Sequence, residues 1–129
     1  MKKMFICLLI LMLASFAYSR IRKNWQGPTT IAVSTTNLVS AVTGERIVLK
    51  HMLYTAKNAH YLYFYSGTAP STTKISNDMY FAANESVNTT NGDPLDFITN
   101  TSEALGVWTS AAPATNMLFE VEKIKGVGN

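Results

Sequence analysis

Cysteine is nearly absent: the chain of 129 residues has one, Cys7, and it sits inside an apolar run. Disulfides, Cys-based zinc sites and a cysteine nucleophile in the folded body are therefore excluded. Histidine is almost as scarce, with only His51 and His60. Charged residues are few, 15% against 47% hydrophobic, so the chain is neither a disordered tail nor a charge-driven coiled coil. The formal charge of +3 is unevenly placed. Lys2, Lys3, Arg20, Arg22 and Lys23 lie in the first 23 residues, which leaves six basic against eight acidic side chains beyond them. A body that is slightly acidic offers no basic stripe, and a nucleic-acid partner is excluded on that ground. The length is that of one domain.

Two lysines precede the apolar segment 4–16, and Ala17-Tyr18-Ser19 follow it. A charged start, a short hydrophobic stretch and small residues at −3 and −1 are the parts of a secretory signal peptide, expected as a hydrophobic helix over 1–19. The run is shorter than the roughly 20 residues that cross a bilayer comfortably. Arg20, Arg22 and Lys23 argue the other way, because basic flanks favour the cytoplasmic side. Two alternatives follow: an exported protein, secreted or periplasmic, or one anchored in a membrane through residues 4–18 if these stay uncleaved. Residues 20–28 read as a linker.

From about Pro28 the texture changes, with Thr, Ser and Asn at the polar positions and apolar residues in alternation. Strands are expected at 30–33, 38–42, 46–55, 60–66, 79–81, 97–98, 104–108 and 116–124, with 84–93 a loop carrying one edge strand at most. About eight short strands with turn signals every 8–12 residues argue an all-β fold, a single antiparallel β-sandwich over 29–129. Its expected core is Ile31, Val33, Ile47, Leu49, Leu53, Leu62, Phe64, Leu105, Phe119 and Val121.

Chemistry has little to work with. His51 and His60 fall on adjacent predicted strands, but no metal-binding spacing accompanies them. Glu120 and Glu122 share a strand face, beside Lys123 and Lys125, and read as a solvated edge. The stretch 91–96 (Asn-Gly-Asp-Pro-Leu-Asp) carries oxygen ligands for calcium without the loop pattern calcium sites use, and is equally a tight turn. No nucleophile elbow and no phosphate loop occurs. The expectation is therefore no enzyme, no catalytic residue, no cofactor and no metal. The most aromatic segment is His60-Tyr61-Leu62-Tyr63-Phe64-Tyr65-Ser66. With Leu62 and Phe64 inward, Tyr61, Tyr63 and Tyr65 form an outward stripe with about 6–7 Å between neighbours. Such a stripe suits a subunit contact or sugar stacking, unless a loop or the N-terminal segment covers it.

The order Gly44-x-Arg46-Ile47-x-Leu49, Thr55-Ala56 to Ala59, Phe64-x-Ser66-Gly67-Thr68, Ser102-Glu103-Ala104-Leu105 and Met117-Leu118-Phe119-Glu120-Val121 resembles small jelly-roll proteins of bacteriophage virions. The likeness covers about residues 29–125. It implies a jelly-roll subunit of decoration, spike or tail-associated type, in a homo-oligomer (a trimer included) or against other virion or surface proteins. Two features depart from the pattern: the aromatic strand 61–65 and the signal-like N-terminus. An alternative consistent with export is a secreted carbohydrate-binding or adhesin-like β-sandwich module with a glycan partner.

Overall fold

The computed structural model describes residues 25–68, 73–111 and 115–126, and every element among them is a β-strand. The expected signal or anchor helix over 1–19 and the basic run Arg20 to Lys23 lie outside the described residues. Among those described, no helix is long and apolar enough to cross a membrane. The strands are β1 (Trp25–Ile31), β2 (Ser34–Val39), β3 (Glu45–Thr55), β4 (His60–Ser66), β5 (Thr73–Lys74), β6 (Met79–Phe81), β7 (Ser86–Asn88), β8 (Phe97–Ile98), β9 (Leu105–Thr109) and β10 (Thr115–Lys125).

They form two antiparallel five-stranded sheets, as a β-sandwich requires. Sheet A runs β1-β10-β3-β7, with β8 also on β3; sheet B runs β2-β9-β4-β5, with β6 also on β4. A strand has two edges, and β10 takes one edge of β3. The pairs Leu53↔Asn88 and Val48↔Ile98 therefore set β7 and β8 end to end along the other. The same reasoning sets β5 and β6 end to end along β4, opposite β9. The chain begins by alternating between sheets, with β1 and β3 in A and β2 and β4 in B. It then places β5 and β6 in B, β7 and β8 in A, β9 in B and β10 in A.

Apolar side chains from both inner faces meet between the sheets. Ile31, Ile47, Leu49, Met52, Tyr54, Met117, Phe119 and Val121 come from sheet A, and Leu62, Phe64, Phe81, Leu105 and Val107 from sheet B. Burying each such side chain contributes roughly 1.5–3 kcal/mol. Eight of the ten expected core residues are buried, and two are not. Leu53 is 40% exposed because β3 changes phase. Leu49 lies opposite Val121 while His51 lies opposite Glu120, so Lys50 is an extra residue with no partner on β10. This β-bulge passes the inward positions from Ile47 and Leu49 to Met52 and Tyr54, and turns Leu53 outward. Val33, 52% exposed, sits at the corner where the chain leaves sheet A for sheet B. There the Thr35 N–H donates to the Val33 carbonyl at 3.1 Å, and Ser34 takes the left-handed conformation with φ 70°. Buried Thr109 pins the corner by donating its hydroxyl to the Ala32 carbonyl at 2.9 Å.

β5 is not among the expected strands, and two strands differ from expectation by more than one residue at an end. The first strand starts at Trp25, inside the stretch read as a linker, because that stretch pairs with β10 at Trp25↔Glu120. The second covers Ser34–Val39 rather than 38–42. Its Ser/Thr/Asn content reads as turn, yet pairing with β9 from Ser34↔Thr109 to Val39↔Leu105 satisfies its backbone.

Candidate functional site

Alternation along β4 sends Leu62 and Phe64, both fully buried, into the core, and Tyr61, Tyr63 and Tyr65 to the outer face of sheet B. The three tyrosines lie on one face as expected, but their surroundings differ. Tyr61 is 52% exposed and packs against Tyr80, its cross-strand partner on β6, with ring centroids 5.1 Å apart. Tyr63 is half-buried. Trp108, its partner on β9, stacks on one side of it at 5.0 Å and 21°, while Lys74 Nζ stands over its ring 4.3 Å from the centroid. Tyr65 is buried, lying across Gly106, where a Cβ would come within 2.2 Å of the ring. That contact is why the residue opposite Tyr65 is a glycine. Burial pushes the Tyr65 phenol above its ordinary pKa, and neighbouring Tyr63 adds to the rise.

Between the Tyr61 row and the Tyr63 row runs a cleft of about 340 Å³, lined by Tyr61, Tyr63, Lys74, Asp78, Trp108 and Ser110. Asp78 holds Lys74 in an ion pair at 2.5 Å, so the two charges of the cleft compensate each other. Ser110 fixes the far end: its hydroxyl accepts the Tyr61 N–H at 2.9 Å, and its own N–H donates to the Tyr61 carbonyl at 3.0 Å. The expected stripe missed Tyr80, Trp108, Lys74 and Asp78. Trp108 had a signal, since it alternates with inward Val107 and Thr109. The others stand on β5, on β6 and in the segment joining them, too short to show a period.

The remaining candidates are not brought together. His51 stands on β3 in sheet A, half-buried, with Nδ1 3.5 Å from Thr89 Oγ1. His60 stands on β4 in sheet B and is buried. Its Nδ1 lies 2.7 Å from the Asn58 carbonyl and its Nε2 2.7 Å from Tyr54 Oη. A carbonyl can only accept, so Nδ1 carries the proton and Nε2 accepts from the tyrosine. Phe81 stacks on the His60 ring at 5.7 Å.

Glu120 and Glu122 share the outer face of sheet A. Glu122 lies 3.6 Å from Lys50 Nζ, whereas Glu120 Oε2 is shielded from solvent and accepts no hydrogen bond among the described residues. In the stretch 91–96, Asp96 is committed to Lys50 at 2.7 Å. That hydrogen bond raises the Lys50 pKa above its ordinary value; burial opposes it, and the charges of Asp96 and Glu122 add to the rise. Among the described residues no three His, Cys, Asp or Glu side chains are grouped so as to hold a metal ion. No family model, curated protein or solved structure matches the chain.

Proposed function

We propose that the protein is a non-enzymatic structural and interaction protein, a jelly-roll subunit of a phage virion or of another surface assembly. The observation that carries this reading is the strand order. Taking β5 with β6, and β7 with β8, as single interrupted strands leaves eight. One sheet then reads first, eighth, third, sixth, and the other second, seventh, fourth, fifth. An eight-stranded, two-sheet array in which the closing strand lies between the first and third is the order of a double-sheet jelly roll. A fold hosts many functions, so the case for assembly also rests on surfaces.

Of the four sheet edges (β1 and β7 with β8 in sheet A, β2 and β5 with β6 in sheet B), the two formed by unbroken strands differ. β1 carries Pro28 and an irregular register between Gln26 and Thr29, devices that blunt an edge. β2, Ser-Thr-Thr-Asn-Leu-Val, also has an irregular register, between Asn37 and Val39, but it carries neither charge nor proline, and no described strand pairs its outer side. An edge strand without charge or proline is suited to pairing with a second copy of the chain. The test is the solution mass of the full chain by sedimentation. A closed oligomer is expected, and Asn37→Lys, which places a charge on the β2 edge, should lower its mass. A wild-type protein that stays monomeric across the accessible concentration range would refute the assembly reading.

A further inference from the structure

We infer that the cleft on the outer face of sheet B binds a neutral sugar ring of a polysaccharide. This rests on reading the chain as an interaction protein and gives that protein a ligand. The walls are aromatic: Tyr61 on one side, and on the other Trp108 with Tyr63 stacked against it. A sugar ring is apolar on its C–H faces and polar around its rim, and aromatic rings take the first while polar side chains take the second. The rim chemistry is present. Lys74 and Asp78 stand side by side at 2.5 Å, one a donor and the other an acceptor. An ammonium has three protons and a carboxylate about four lone-pair positions, so each keeps capacity after meeting the other. Two adjacent hydroxyls, each able to donate and accept, match such a pair through charge-assisted hydrogen bonds.

Three further observations narrow the occupant. The charges of Lys74 and Asp78 cancel, so the cleft favours neither an anion nor a cation. β4, which forms the floor, is paired on both sides by β9 and by β5 and β6, so no free main chain is left for a peptide to join by strand addition. The volume of about 340 Å³ lies at the small end of the range of ligand sites. Tyr80, 57% exposed and packed on Tyr61, continues the aromatic row beyond the cleft, where the next ring of a chain would lie. The site is also held in place before any ligand arrives. Tyr63 is held between Trp108 and Lys74, so that ring has little side-chain freedom left to lose on binding.

The full-length chain should be offered to an array of neutral polysaccharides (β-glucan, mannan, galactan, xylan), acidic ones (alginate, pectate) and a proline-rich peptide. Positives are then titrated in a Trp25→Phe background, where Trp108 is the one remaining indole. The expected result is saturable binding of at least one neutral polysaccharide with a change in Trp108 emission. Tyr61→Ser and Asp78→Asn should each weaken it about tenfold, the loss of one good contact, with the melting temperature unchanged. Binding of only acidic polysaccharide or peptide overturns the inference, and so does neutral binding that both substitutions leave intact. Sedimentation of the same samples separates the two readings. An oligomer blind to every neutral polysaccharide sinks the sugar site alone, whereas a monomer that binds one sinks the assembly reading alone.

Discussion

Met52→Ala and Leu53→Ala truncate neighbouring residues on one strand, and the bulge at Lys50 assigns them opposite costs. Met52 is 1% exposed and points between the sheets. Leu53 is 40% exposed and points outward, paired with Leu118 and Asn88. Removing a buried methionine side chain costs about 2–5 kcal/mol, counting lost transfer energy and the cavity left behind. A domain of this size has roughly 5–15 kcal/mol of stability in total. Met52→Ala should therefore lower the melting temperature by about 10 °C or more, at about 4–8 °C per kcal/mol. Leu53→Ala removes atoms that remain largely in water, and about 1 kcal/mol or less is expected.

Urea unfolding followed by far-UV circular dichroism, with m-values compared to check two-state behaviour, measures the difference. Deleting Lys50 extends the test. Leu49 and His51 would become consecutive, so the pairings with Val121 and Glu120 survive and Met52 stays inward. What is lost is the pair of ion contacts to Asp96 and Glu122, which contribute little, and the Lys50 carbonyl that accepts the Leu95 N–H at 2.8 Å. Equal costs for the two alanine variants, or a larger one at Leu53, would refute the bulge and restore uninterrupted alternation along β3.

Two further outcomes follow from the packing. Gly106→Ala places a methyl group 2.2 Å from the buried Tyr65 ring, which must swing out; overpacking of this kind costs about 1–3 kcal/mol. A Tyr65→Ser, Gly106→Ala double variant should lose less than the sum of the singles in thermal melts, and strict additivity would count against the contact. Tyr54→Phe leaves the buried Nε2 of His60 without its hydroxyl donor, at a cost of about 1–3 kcal/mol near neutral pH.

The same variant has a signature at high pH. Burial holds the Tyr54 phenol well above its ordinary 10.0, so as pH rises through that value the unfolded chain loses its proton first. Stability must then fall with pH, by up to about 1.4 kcal/mol per unit for one proton. Tyr54→Phe should flatten that alkaline decline in urea midpoints between about pH 9 and 11, and an unchanged slope would contradict it.

Part of the site was legible in the sequence. Period-two alternation along 60–66 placed Tyr61, Tyr63 and Tyr65 on one face, because a strand flanked by inward Leu62 and Phe64 has no other arrangement. It carried no information on what lies across the strand. Tyr65 is covered through a glycine 41 positions further along the chain, and Tyr63 is enclosed by Trp108 and Lys74, neither of which is near it in sequence. The cleft exists only because β9 and the short β5 and β6 flank β4 in register.

Composition and alternation by themselves determined an all-β chain and most of its core. Strand propensity and turn chemistry act over a few residues, and eight of ten inward positions were right for that reason. Tertiary pairing decided the rest. A bulge depends on the partner strand, and Lys50 is extra only when β10 lies alongside, so Leu53 and Met52 could not exchange roles on local evidence. The corner that exposes Val33 depends on Thr109 meeting Ala32 from the other sheet. The segment 34–39 is polar enough for a turn and becomes a strand because β9 satisfies its amides. Side-chain alternation is written locally, but register is fixed by contacts between residues far apart in the chain.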